Sequence, residues 1–155
     1  MLDKINIYTD GSSIGNPGPG GYGIIIEWVG KSYVKELSDG YKLTTNNRME
    51  LLAVIIALES LKKKPMQVTI FSDSKYVIDS VEKKWIFEWE KKNFKGKKNS
   101  DLWRRFLGIY YDHILKFKWI RGHSNHPKNE RCDQLAFNAA KGNNLKVDFI
   151  FEDLM

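Results

Sequence analysis

The chain predicts an α/β fold, a five-stranded mixed sheet with helices packed on it. Two patterns predict it: three strand-like stretches follow one another near the N-terminus, and helical and strand-like stretches then alternate. The length of 155 residues suits one domain with a single core.

Residues 4–10 alternate apolar and polar side chains, the period of a strand with one buried face. A glycine-rich turn is expected over 11–21. Two further strands fit 22–29 and 31–37, hinged at Gly30 as an antiparallel meander. Residues 44–47 supply capping side chains for a helix over 48–62, and Pro65 lies beyond its end. The next strand is 67–72, rich in β-branched and aromatic residues. Helical patterns follow at 74–81, 84–91 and, after a basic loop, 102–112. A last strand fits 114–120, and a last helix fits 129–141, stopped by Gly142. Residues 143–155 alternate weakly and form a tail of unknown role after a domain at 1–142. The crossover through helix 48–62 sets strand 67–72 parallel to strand 4–10. Asp10 and Asp73 then lie at carboxyl ends of neighbouring strands, where open α/β sheets form their ligand crevices.

Composition excludes several classes. No apolar run is long enough to span a membrane. The chain enters strand-like sequence at once, with no visible secretory signal. A single cysteine, Cys132, rules out an intramolecular disulfide and suits a reducing cytoplasm. The net charge of +6 is concentrated. Residues 83–105 hold nine basic groups against three acids, so this segment alone carries the whole excess. It also holds Trp85, Trp89, Phe94 and Trp103. Cations interleaved with aromatics suit nucleic acid, although an amphipathic helix pair with core tryptophans would read the same way.

Four acids draw attention. Asp10 before Gly11 and Asp73 before Ser74 would each serve as ordinary turn or cap residues. Glu50 is different: it lies in Met49–Leu58, a helix apolar nearly all round, with Ala53, Val54 and Ala57 as its neighbours. An unpaired carboxylate there is costly unless it faces a cation. Asp133 interrupts a similar stripe of Cys132, Leu135, Ala136 and Ala139. Four converging carboxylates with no cysteine or histidine cluster point to a hard divalent cation, magnesium or manganese rather than zinc.

The strings Tyr8-Thr-Asp-Gly-Ser-Ser-Ile-Gly-Asn-Pro-Gly-Pro-Gly-Gly-Tyr-Gly23, Thr44-Thr-Asn-Asn-Arg-Met-Glu-Leu51, Phe71-Ser-Asp-Ser-Lys-Tyr76 and Gly122-His-Ser-Asn-His-Pro-Lys-Asn-Glu-Arg-Cys-Asp133 closely resemble bacterial type 1 ribonuclease H. The likeness runs from about residue 4 to residue 141. It implies a ribonuclease H-like fold and an endonuclease that hydrolyses the RNA strand of RNA–DNA hybrids. The implied chemistry uses two Mg2+ ions, or Mn2+ in their place, and leaves 5′-phosphate and 3′-hydroxyl ends. By resemblance, Asp10, Glu50, Asp73 and Asp133 are the metal-binding carboxylates. His123, in the loop before the last helix, matches a residue of proton transfer or product departure, while His126 matches none. Asn46 and Asn47 match readers of the hybrid's minor groove, and the backbone of Gly11, Ser12 and Ser13, with Glu50, matches contacts to RNA 2′-hydroxyls. Thr45 and Asn99 match a pocket for a DNA-strand phosphate, and Trp85 and Trp89 a channel along deoxyriboses. Asn16 and Tyr76 join them as substrate contacts, and 83–105 becomes a basic protrusion.

The chain departs from the family pattern at Leu43, where arginine is common; Lys42 stands beside it. Its basic loop is shorter than in some members, and only nine residues precede Asp10, so we expect no separate N-terminal hybrid-binding domain. A cytoplasmic monomer is expected. Two rivals are an integrase- or transposase-type enzyme, which would lack the 2′-hydroxyl requirement, and a non-catalytic hybrid-binding module, which would lack a carboxylate.

Overall fold

The computed structural model describes residues 1–122 and 124–154. Five strands, β1 (Lys4–Ser13), β2 (Gly18–Trp28), β3 (Tyr33–Thr44), β4 (Gln67–Ser72) and β5 (Ile114–Trp119), form one sheet in the order β3-β2-β1-β4-β5. The three N-terminal strands pair antiparallel, whereas β4 runs parallel to both β1 and β5. This is the expected mixed sheet, with its parallel half created by helical crossovers.

Among the described residues six helices complete the fold: α1 (Asn46–Glu59), α2 (Lys75–Glu82), α3 (Trp85–Lys91), α4 (Ser100–Tyr110), α5 (Pro127–Ala140) and α6 (Phe149–Asp153). Thr45 caps α1, its hydroxyl accepting from the Arg48 amide. Nearly every residue of α1 from Arg48 to Leu58 is buried, as its all-round apolar sequence requires. Alternation along the strands separates two layers. Ile5, Ile7, Ile24 and Ile26 join the large core with α1, while Tyr8 and Ile25 meet Cys132 of α5 in a smaller one. Trp103 and Phe106 of α4 are fully buried in the large core.

Several element boundaries are revised. The glycine-rich stretch is not one long turn: β1 runs on to Ser13 and β2 begins at Gly18. Glycine serves close approach here. A Cβ at Gly23 would collide with the Cys132 carbonyl of α5, and one at Gly11 with the α1 backbone at Glu50. Helix α1 stops at Glu59 rather than 62, and β3 extends to Thr44. Residues 143–154, which the sequence left unassigned, pack against the body. Lys146 pairs with β3 through Lys42 N–H to Lys146 O (2.8 Å) and Lys146 N–H to Gly40 O (2.9 Å), and α6 follows.

Candidate active site

Two glycine approaches and one parallel strand pairing bring four segments to one end of the sheet. Asp10 sits opposite Gly23 in the β1–β2 register, so the α5 backbone pressed on Gly23 carries Asp133 beside it. Gly11 lets the first turns of α1 close on β1, which brings Glu50 to Asp10. Parallel pairing of β4 with β1 adds Asp73, immediately after β4.

Asp10, Glu50 and Asp73 each offer a carboxylate oxygen within 4.8 Å of the others. Asp10 is 6% exposed and Glu50 8%. Asp133 lines the same cavity of about 490 Å3, and its charge acts on Asp10, but it stands outside that close group of three. Burial, and then the negative charge of Asp73, push the Asp10 carboxyl up to about 8. Burial raises Glu50 well above the ordinary range, with Asp10 and Asp73 adding to the effect. Glu50 Oε1 is buried without a hydrogen-bond partner. Buried acids crowded like this, one of them with an unsatisfied oxygen, fit a hard cation among them.

Asp73 is not the helix cap that its sequence context allowed. Ser74 caps α2 by accepting from Val77 N–H, and Trp119 Nε1 donates to the Asp73 main-chain carbonyl (3.1 Å). The Asp73 side chain is thereby left to the cluster.

The other sequence-predicted residues fall around this crevice in different ways. Gly11, Ser12, Ser13, Asn46, Asn47 and Tyr76 line it. Asn46 Oδ1 accepts from the amide and hydroxyl of Ser13, and Asn16 Oδ1 accepts from the Asn46 amide, which ties the β1–β2 connection to α1. Thr45, Asn47 and Asn99 line a second cavity of about 770 Å3 together with Lys97 and Lys98. Trp85 is half exposed, with Lys83 over its ring, and Lys97 covers the partly buried Trp89. Of the other aromatics of the basic segment, Trp103 and Phe94 are core and Phe87 is partly buried against it. His126 caps α5 by accepting from Asn129 N–H. Leu43 is partly buried and Lys42 exposed. His123 lies outside the described residues. Sequence reasoning missed Lys75 and the buried Asn129, both lining the acidic crevice, and the buried Arg48. Only Arg48 carried a signal, since it sits in an otherwise apolar helical run.

A cluster of largely buried carboxylates at one end of the central strands, beside a basic, tryptophan-bearing flank, is the site of an enzyme of phosphodiester hydrolysis. Residues 3–141 match the family model described as RNase H. The chain belongs to that family. It is 49% identical to the ribonuclease H of Desulforamulus reducens over 152 residues, covering 95% of this chain and 94% of the relative. It is 50% identical to that of Lachnoclostridium phytofermentans over 158 residues, covering 96% and 99%. Among solved structures it resembles LC9-RNase H1, described as a type 1 RNase H with the type 2 active-site motif, at a TM-score of 0.83 and 30% identity over 92% of this chain and 74% of that one. It also resembles LC11-RNase H1, solved in complex with RNA/DNA hybrid, at 0.67 and 29% over 88% and 96%. Among the described residues no helix is long and apolar enough to cross a membrane.

Proposed function

We propose that this protein is an endonuclease that hydrolyses the RNA strand of RNA–DNA hybrids, leaving 5′-phosphate and 3′-hydroxyl ends. The observation that carries the reading is the convergence of Asp10, Glu50 and Asp73 within 4.8 Å, with Glu50 Oε1 buried and unpartnered. Those three, with Asp133 at the rim, would hold divalent ions. The all-oxygen donor set favours Mg2+, with Mn2+ as a substitute. When bound, a pair of such ions stabilises charge on the attacking and leaving oxygens of an in-line displacement.

The protein's own groups bind and orient. The backbone at Gly11, Ser12 and Ser13 and the carboxylate of Glu50 face the 2′-hydroxyl that distinguishes RNA from DNA. Asn46 and Asn47 contact the minor groove, with Asn16 holding Asn46 in place. Thr45 and Asn99, beside Lys97 and Lys98, receive a phosphate of the DNA strand. Trp85 and Trp89 support its sugars, and Tyr76 closes the crevice between the two sites. His123 takes the role of proton transfer or product departure by resemblance to the family. The catalytic groups lie within 1–142. We read the protein as a cytoplasmic monomer.

The test is cleavage of an RNA–DNA hybrid, duplex DNA and duplex RNA, each with Mg2+, Mn2+ or chelator. Cleavage confined to the hybrid and abolished by chelator is the expected result. Equal cleavage of duplex DNA would favour the integrase-type reading and overturn this one.

A further inference from the structure

Arg48 is 2% exposed, two residues from Glu50, yet it takes no part in the carboxylate cluster. Its Nε donates to Asp148 Oδ2 (2.8 Å), and Nη2 donates to Asp148 Oδ1 (2.9 Å) and Asp101 Oδ2 (2.7 Å). Its Nη1 donates to Asp101 Oδ1 (2.8 Å) and Asn99 Oδ1 (3.4 Å). All five guanidinium N–H groups are engaged, so Arg48 has none left for a ligand. Its work is orientation. Asp148, just before α6, also accepts from Thr44 Oγ1 (2.8 Å), which fastens the 143–154 strap to the end of β3.

The consequence passes through Asn99. With its oxygen turned to Arg48, Nδ2 donates to the Tyr76 hydroxyl (3.0 Å), and Trp103 Nε1 donates to the same oxygen (2.9 Å). Two incoming donors fill both lone pairs of the phenol, so its own hydrogen is what remains to offer. Tyr76 lines the acidic crevice, Asn99 lines the neighbouring cavity, and Asn47 lines both. That second cavity joins amides and a hydroxyl to Lys97 and Lys98 and is walled on one side by Ile150 and Phe151 of α6. Its chemistry suits a nucleic-acid backbone phosphate.

We propose that the 143–154 strap is a positioning element for the substrate groove. Asp148, through Arg48, fixes the Asn99 amide and hence the direction in which Tyr76 donates. In Asp148→Asn one acceptor oxygen and the negative charge are lost, so one Arg48 donor is left without its partner in a buried site, and the guanidinium re-orients away from Asn99. This inference rests on the hybrid-cleaving function proposed above, and the strap would act on binding rather than on chemistry.

The test compares full-length wild type with Asp148→Asn, Tyr76→Phe and the double variant, well below their melting temperatures. The dissociation constant of an RNA–DNA hybrid is measured in chelator, where nothing is cleaved, and KM and kcat in Mg2+. Asp148→Asn should raise Kd and KM together by about fivefold with kcat held within about twofold, the size of one hydrogen bond removed. The double variant should bind no worse than the weaker single variant, because both changes act on the same interaction. An Asp148→Asn Kd within about twofold of wild type, whatever its melting temperature, would reduce the strap to a stability element and overturn the proposal. So would a double-variant loss equal to the product of the single losses. Failure of the wild type to cleave hybrids would reject the function instead, and the Kd ratios would still decide the strap.

Discussion

At Asp10 the chain holds a carboxyl whose ionisation is opposed by burial and by the Asp73 charge. Its folded-state value of about 8 lies above the ordinary 3.8. Between the two the folded protein binds more protons than the unfolded chain, so this group's contribution to stability falls as pH rises from about 4 to about 8. Without divalent cation, Asp10→Asn should therefore raise the melting temperature at pH 8 and change it little at pH 4. Mg2+ should raise the wild-type value more than that of the variant. A variant less stable than wild type at pH 8, followed by circular dichroism, would contradict this repulsion. Residue by residue, the sequence was readable where burial and charge conflicted openly, as at Glu50. At Asp73 the local pattern was ambiguous, because Asp and Ser cap helices alike and only the structure shows that the Ser74 hydroxyl does so. The sequence was silent on the partners of Arg48, which lie 53 and 100 positions away.

At the scale of elements, helices and strands were legible from periodicity, and their ends were not. Strands β1 and β2 extend through glycines, which carry no apolar or polar pattern to read. Those glycines matter because they let helix backbones approach. Gly23→Ala should destabilise the fold by about 1–3 kcal/mol, since its Cβ meets the Cys132 carbonyl and α5 must move, taking Asp133 with it. Urea unfolding measures this, and an unchanged midpoint would mean that α5 does not rest on that glycine. The basic segment was legible as a charge pattern, but its five aromatics divide by burial: Trp103 and Phe94 hold the core, Phe87 packs partly against it, and Trp85 and Trp89 remain near the surface. Neutralising Lys91, Lys92, Lys95, Lys97 and Lys98 should raise KM and flatten the salt dependence of hybrid binding, by about 0.9 in log–log slope for each phosphate no longer neutralised. The same slope in wild type and variant would locate the hybrid-binding cations elsewhere.

Across the whole molecule, charge is divided between a buried acidic crevice and an exposed basic flank, joined by the polar ends of β1, α1 and α2. Such a division lets the flank collect a polyanion that the crevice alone would repel. The strap belongs to the same plan, since its Asp148 holds Arg48 at the junction of the two. Everything proposed for the enzyme depends on the carboxylate cluster, so the decisive assay is hybrid cleavage by Asp10→Asn in Mg2+, run beside hybrid binding. Cleavage should fall by about two orders of magnitude or more with binding nearly unchanged, as removal of one group from an electrostatic site requires. Magnesium-dependent cleavage retained at the wild-type rate would contradict a metal role for the cluster.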